Sequence, residues 1–149
     1  MMTGRRAHLW RRFAALDHGD RLLVVEAAVL TGLVHAGLRT LPFAWLRRLL
    51  DGAKRLRARS PHPQRRIAWA VQAAARLLPG RTCLIDALAA DVMLCRRGYD
   101  CVLRVGVKKG NGPAPLEAHA WVECDGAVVA GGLATLDEYR RFPHLGGTK

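Results

Sequence analysis

Acidic residues are scarce in this chain: 12 Asp and Glu stand against 24 Lys and Arg, for a formal charge of +12. Close Cys-x-x-Cys pairs and mixed Cys/His clusters are missing, so the four cysteines Cys83, Cys95, Cys101 and Cys124 do not spell a zinc site. No metal and no cofactor are expected. The basic start, with Arg5, Arg6, Arg11 and Arg12, is not followed by a compact apolar run ending in a small-residue cleavage site, so no cleavable signal is read. Internal repeats and low-complexity tracts are absent as well. Without a recognition helix or an aromatic stacking platform, nucleic acid is the least favoured partner.

What is present is an apolar half of a 149-residue chain, enough for one compact domain with its own core. The expected compartment is the reducing cytoplasm, with all four thiols free. Charge is uneven: residues 1–60 hold 12 basic against 4 acidic residues, and residues 61–149 hold 12 against 8. Such a field suits an acidic peptide or protein, or the anionic inner face of a membrane, although a basic surface that only solvates the protein gives the same count.

Along the chain, Leu22 to Leu38 reads as an apolar helix. It carries Glu26 and His35, is bounded by Arg21 and Arg39, and falls short of the roughly 20 apolar residues of a spanning segment, so a buried helix is expected over one at a membrane surface. The run TLPFAWLRRLLDGAKRLRAR predicts a second helix with Pro42 near its start. Ser60, Pro61, His62 and Pro63 break the pattern. Residues 1–60 are accordingly read as an N-terminal helical extension and residues 61–149 as the functional core, the whole forming one compact unit.

Within that core, Arg65 to Leu78 shows helical spacing and ends at Pro79-Gly80. Thr82 to Arg97 (TCLIDALAADVMLCRR) is apolar on nearly every side, as a helix enclosed by a small domain must be. Beyond Gly98 the period becomes two: Cys101, Leu103, Val105 and Val107 alternate with Arg104, Gly106 and Lys108. Ala118 to Cys124 alternates again, Asp125-Gly126 marks a hairpin, and Ala127 to Ala130 returns as its partner strand. Helices followed by a small antiparallel sheet define an α+β fold.

The chemistry is predicted at Cys83 and His119. Thr82 is a fitting N-cap, which puts Cys83 in the first turn of a helix, where free N–H groups and the helix dipole favour an anionic sulfur. Arg81 adds a positive charge nearby, and Asp86 opposes it. A buried structural cysteine is the plainer reading of Cys83 alone, as an ordinary hydrogen-bonding imidazole is of His119 alone. His119 shares a strand face with Trp121 and Glu123 and lies between two alanines, which leaves room for a partner. The other histidines, His8, His18, His35, His62 and His144, have no such setting. A helix-start thiol followed by a strand histidine is the chain order of papain-like peptidases and transglutaminases. For an imidazole-orienting third group, a two-residue Asp125-Gly126 turn sets His119 opposite Gly132, where an acid would be useful; Asp137 is the nearest acidic alternative, and a Cys-His dyad is the other.

The run AARLLPGRTCLIDALAADVMLCRRGYDCVLRVGVKKG, followed by LEAHAWVECDGAVV, closely resembles the transglutaminase-like B proteins of lasso-peptide biosynthesis, the family of the microcin J25 processing protein. The resemblance covers roughly Ile67 to Gly132. It implies a papain/transglutaminase-like core and a leader peptidase in which Cys83 attacks the bond joining leader to core peptide and His119 is its base. It further implies a precursor peptide, a separate ATP-dependent cyclase and, because residues 1–60 lack the strands of a winged-helix domain, a separate leader-recognition protein. Family members usually place an aspartate shortly after the histidine, where this chain has Gly131 and Gly132. Two other readings compete: a non-catalytic basic adaptor for precursor, cyclase or membrane, and a transglutaminase-like acyl transferase.

Overall fold

The computed structural model describes residues 3–58 and 62–143; Ser60 and Pro61 of the expected connector, and His144, lie outside them. Five helices come first: α1 (Thr3–Ala14), α2 (His18–Thr40), α3 (Phe43–Lys54), α4 (Gln64–Ala75) and α5 (Cys83–Arg96). Strands β1 (Cys101–Lys109), β2 (Leu116–Cys124) and β3 (Ala127–Ala130) follow, then a 3-10 turn (Leu136–Glu138) and a two-residue β4 (Arg140–Arg141). The α+β order expected from the sequence is the order observed.

Helix limits follow local chemistry. The Asp17 side chain accepts from the Asp20 N–H at 2.7 Å to start α2, which stops at Leu41 because Pro42 excludes a helical conformation before it. Proline again precedes the first residues of α3 and α4. Glu26, half-buried on α2, is tied to Arg96 (2.9 Å) and Arg97 (2.6 Å) at the end of α5.

α5 is the axis of the domain. Leu88, Ala89, Ala90, Val92, Met93 and Leu94 have no solvent exposure, since α2, α3 and α4 pack on one side and β1 and β2 on the other. That enclosure explains why its sequence is apolar all round. Its one fully buried acid, Asp91, is 1% exposed and is met by Lys54 of α3 at 2.5 Å. A single core cluster joins Leu23, Val34 and Leu46 to Ile67, Leu88 and Val122, so the helices before residue 60 and the elements after it share one interior.

The sheet is antiparallel in the order β3-β2-β1-β4. Asp125 (φ 53°) and Gly126 (φ 79°) form the hairpin turn, both in the left-handed region that such a turn requires. Two expectations need correction. Cys124 pairs with Ala127 and Glu123 with Val128 as the turn dictates, but a bulge then shifts the register, so Val122 meets Ala130. His119 is therefore not held opposite Gly132. The second correction concerns the thiols: Cys101 and Cys124 are joined in a disulfide, and only Cys83 and Cys95 are free. The β1–β2 register places Cys101 directly across from Cys124, which brings the two side chains together on neighbouring strands. The free-thiol premise behind the cytoplasmic expectation thus holds for two cysteines, not four.

Candidate functional site: a cysteine and a histidine at one cavity

Cys83 is the first residue of α5, and the Thr82 hydroxyl accepts from the Ile85 N–H at 3.5 Å, so the expected cap is in place. The thiol is partly exposed and lies 4.0 Å from the Ala118 carbonyl oxygen of β2. The residue after that carbonyl is His119. Cys83 and His119 line one cavity of about 170 Å³ with Leu84, Val105, Ala118, Ala120 and Phe43. Among the described residues the thiol makes no hydrogen bond to the ring itself; in substrate-free sites such bonds are often long and close only when substrate binds. The cavity lining is nearly all apolar, and it opens to solvent at the Cys83 thiol.

The imidazole is held by a group that sequence reasoning passed over. His119 Nε2 lies 2.7 Å from the Gly131 carbonyl oxygen. A carbonyl can only accept, so Nε2 carries the hydrogen and Nδ1 is the lone-pair nitrogen left to take a proton. This is the tautomer-setting task that an aspartate performs elsewhere, carried out by backbone. Gly131 has φ 78°, and a Cβ there would stand 2.8 Å from the Ala120 oxygen and 3.0 Å from the Trp121 Cα. Only glycine brings its carbonyl this close. The bulge after Glu123 is what carries Gly131 into position, and a bulge leaves no simple mark in an alternating pattern. Asp137, the acidic alternative, sits exposed on the 3-10 turn and makes no hydrogen bond to the ring among the described residues.

Aromatic neighbours fix the ring plane. Trp121 stacks on His119 with centroids 6.2 Å apart and planes at 15°, and Tyr139 approaches at 5.7 Å. Trp121 is itself fully buried and donates from Nε1 to Glu123 at 2.9 Å. Burial pushes the Glu123 carboxyl up, but the Trp121 N–H, Arg104 (3.0 Å) and Arg141 (3.2 Å) outweigh it, leaving Glu123 below its ordinary value of 4.5. The face shared by His119, Trp121 and Glu123 is thus a support running from a buried anion to the ring.

Charges near the thiol cancel. Arg81 and Asp86, expected to act in opposite senses on Cys83, pair with each other at 3.0 Å. Desolvation raises the Asp86 carboxyl against the opposing pull of Arg81. At the other free cysteine, Cys95, burial first, then the Asp91 charge, push the thiol up to about 11. Phe43, at the start of α3, is the other contributor that the sequence did not flag. It gives the cavity a wall from the helices before residue 60. Among the described residues no cluster of His, Cys, Asp and Glu could hold a metal ion.

A cysteine at the start of an enclosed helix, set at one cavity with a strand histidine whose second nitrogen is held, is the arrangement of thiol enzymes that pass acyl groups through a thioester. Residues 28–143 match the family model of the transglutaminase-like superfamily, and the chain belongs to that superfamily. Its members commonly act as cysteine peptidases or acyltransferases. No curated protein and no solved structure matches the chain significantly.

Proposed function

We propose that the protein is a cysteine endopeptidase that removes the leader from a ribosomally made lasso-peptide precursor. The observation that carries the reading is the pairing of Cys83 and His119 at one cavity with His119 Nε2 anchored on the Gly131 carbonyl. The quoted motif run supplies the substrate class. His119 Nδ1 takes the Cys83 proton, Sγ bonds to the carbonyl carbon at the leader–core junction, and the C–N bond breaks as the imidazolium protonates the departing core amine. Water, deprotonated by the same nitrogen, then splits the thioester and frees the leader carboxylate.

The freed core amine is the group a separate ATP-dependent cyclase consumes, and a separate small protein delivers the leader. Purified protein incubated with precursor and recognition partner is expected to yield leader and core by mass spectrometry, and Cys83→Ala to yield neither. Cleavage by Cys83→Ala at the wild-type rate overturns the assignment. The thioester is also open to attack by an amine, and an apolar lining suits an organic acceptor; a product heavier than the free leader by the amine and lighter by water identifies acyl transfer.

A further inference from the structure

α2 is apolar on two faces, and only one of them is used by the fold. Leu23, Val24, Ala27, Thr31 and Val34 are buried against the core at 3% exposure or less. On the opposite side Leu22 (57%), Val25 (47%), Val29 (55%) and Leu33 (62%) face solvent at intervals of three and four residues, and exposed Ala36 continues the row. The row from Leu22 to Ala36 is about 21 Å long at the helical rise. Beside it Trp10 of α1, 68% exposed, and Leu77 join Val25 and Val29 around an apolar groove of about 310 Å³. An apolar surface this continuous on a charged protein marks an interaction site.

The rim decides what kind of surface it meets. Arg39 borders the stripe at the end of α2, and Arg12 and Arg76 border it near Leu77. All three are exposed and have no acidic partner among the described residues. By contrast, the carboxylates of this region are committed inside the fold: Asp17 caps α2, Asp20 pairs with Arg66, Glu26 with Arg96 and Arg97, and Asp51 with Lys54. The stripe is therefore edged by uncompensated positive charge.

We propose that this face of α2, with Trp10 and Arg12 of α1, rests on an anionic lipid surface. The helix expected over Leu22 to Leu38 runs longer, over His18–Thr40, so that by length and composition alone it passes for a membrane-crossing helix, and only about a third of its apolar window is buried. Its other face is packed on α4 and α5, so it lies in the interfacial plane with its long axis parallel to the membrane. The apolar row enters the acyl boundary, Trp10 occupies the headgroup level, and the arginines meet lipid phosphates. The proposal is independent of the peptidase reading, because it uses no residue of the Cys83 cavity.

Co-sedimentation of the full chain with phosphatidylcholine vesicles, with and without about 30 mol % phosphatidylglycerol at about 0.1 M salt, tests it. Binding is expected to the anionic vesicles and not to the neutral ones. Val29→Glu is expected to abolish it, and Arg39→Gln and Arg76→Gln to weaken it about fivefold each. Because neither arginine takes part in packing, those two variants keep the test valid even where Val29→Glu fails to fold. Absence of binding, equal binding to neutral vesicles, or unchanged binding by the arginine variants overturns the proposal. So does a lipid-free dimer in light scattering that Val29→Glu dissociates, which assigns the stripe to a second copy; a complex with the leader-recognition protein that Val29→Glu breaks while vesicle binding persists assigns it to that partner.

Discussion

Gly131 does at the residue scale what a side chain does in related sites. Its carbonyl, 2.7 Å from His119 Nε2, decides which imidazole nitrogen is free, and its positive φ and close approach to the Ala120 oxygen bar any Cβ. Gly131→Ala has to move that carbonyl away from the ring. Since a misplacement of about 1 Å can cost on the order of 10²-fold in rate, precursor cleavage by Gly131→Ala is expected to fall by roughly that factor, with Asp137→Ala near wild type. Single-turnover rates of the two variants check this. A fast Gly131→Ala together with a dead Asp137→Ala would return the third position to the carboxylate. The same backbone device explains a failure of sequence reasoning: glycine at the expected acidic place read as a gap, because a carbonyl has no letter of its own.

At the scale of elements, α5 was the most legible part. Thr82 as cap, a run apolar on all sides and Gly98 beyond the end each point to one enclosed helix, and its burial follows. The strands were legible by alternation, and β3 matches the expected Ala127 to Ala130. The disulfide was not, although its signal existed. Joining the two alternating segments across KGNGPAP as a hairpin brings Cys101 beside Cys124, and that step needs the long-range register rather than local periodicity. β4, two residues long, carries too little pattern to read. Within α5, Asp91 marks where the element depends on its neighbour: at 1% exposure its charge is met by Lys54 of α3, 18% exposed. Asp91 is the buried anion that both Lys54 and Arg47 (3.9 Å) face, so Asp91→Ala, which leaves two largely buried cations without it, is expected to lose about 3–5 kcal/mol in urea denaturation. Asp51→Ala, which removes an exposed partner of the same lysine, is expected to lose less than about 1 kcal/mol. Equal losses would show that burial of the pair is not what matters.

Seen as a whole molecule, one interior connects the α2 and α3 helices to the nucleophile helix and sheet, and Phe43 carries that connection to the cavity wall. The superfamily match likewise begins at residue 28, inside α2. The Cys83 cavity and the apolar stripe of α2 share no residue. What local pattern could not supply was this assembly: the cavity is made where α3, α5, β1 and β2 meet, and sequence alone offered only its two reactive corners. Whether those corners work as a pair needs no substrate to test. The most direct measurement is the rate of iodoacetamide alkylation of each free thiol at pH 7, read by peptide mass, in the wild type and in His119→Ala. Cys83 is expected to react at least about tenfold faster than Cys95, whose thiol is held up to about 11, and to lose that advantage in His119→Ala. A Cys83 that reacts no faster than Cys95, or whose rate is untouched by His119→Ala, contradicts the account.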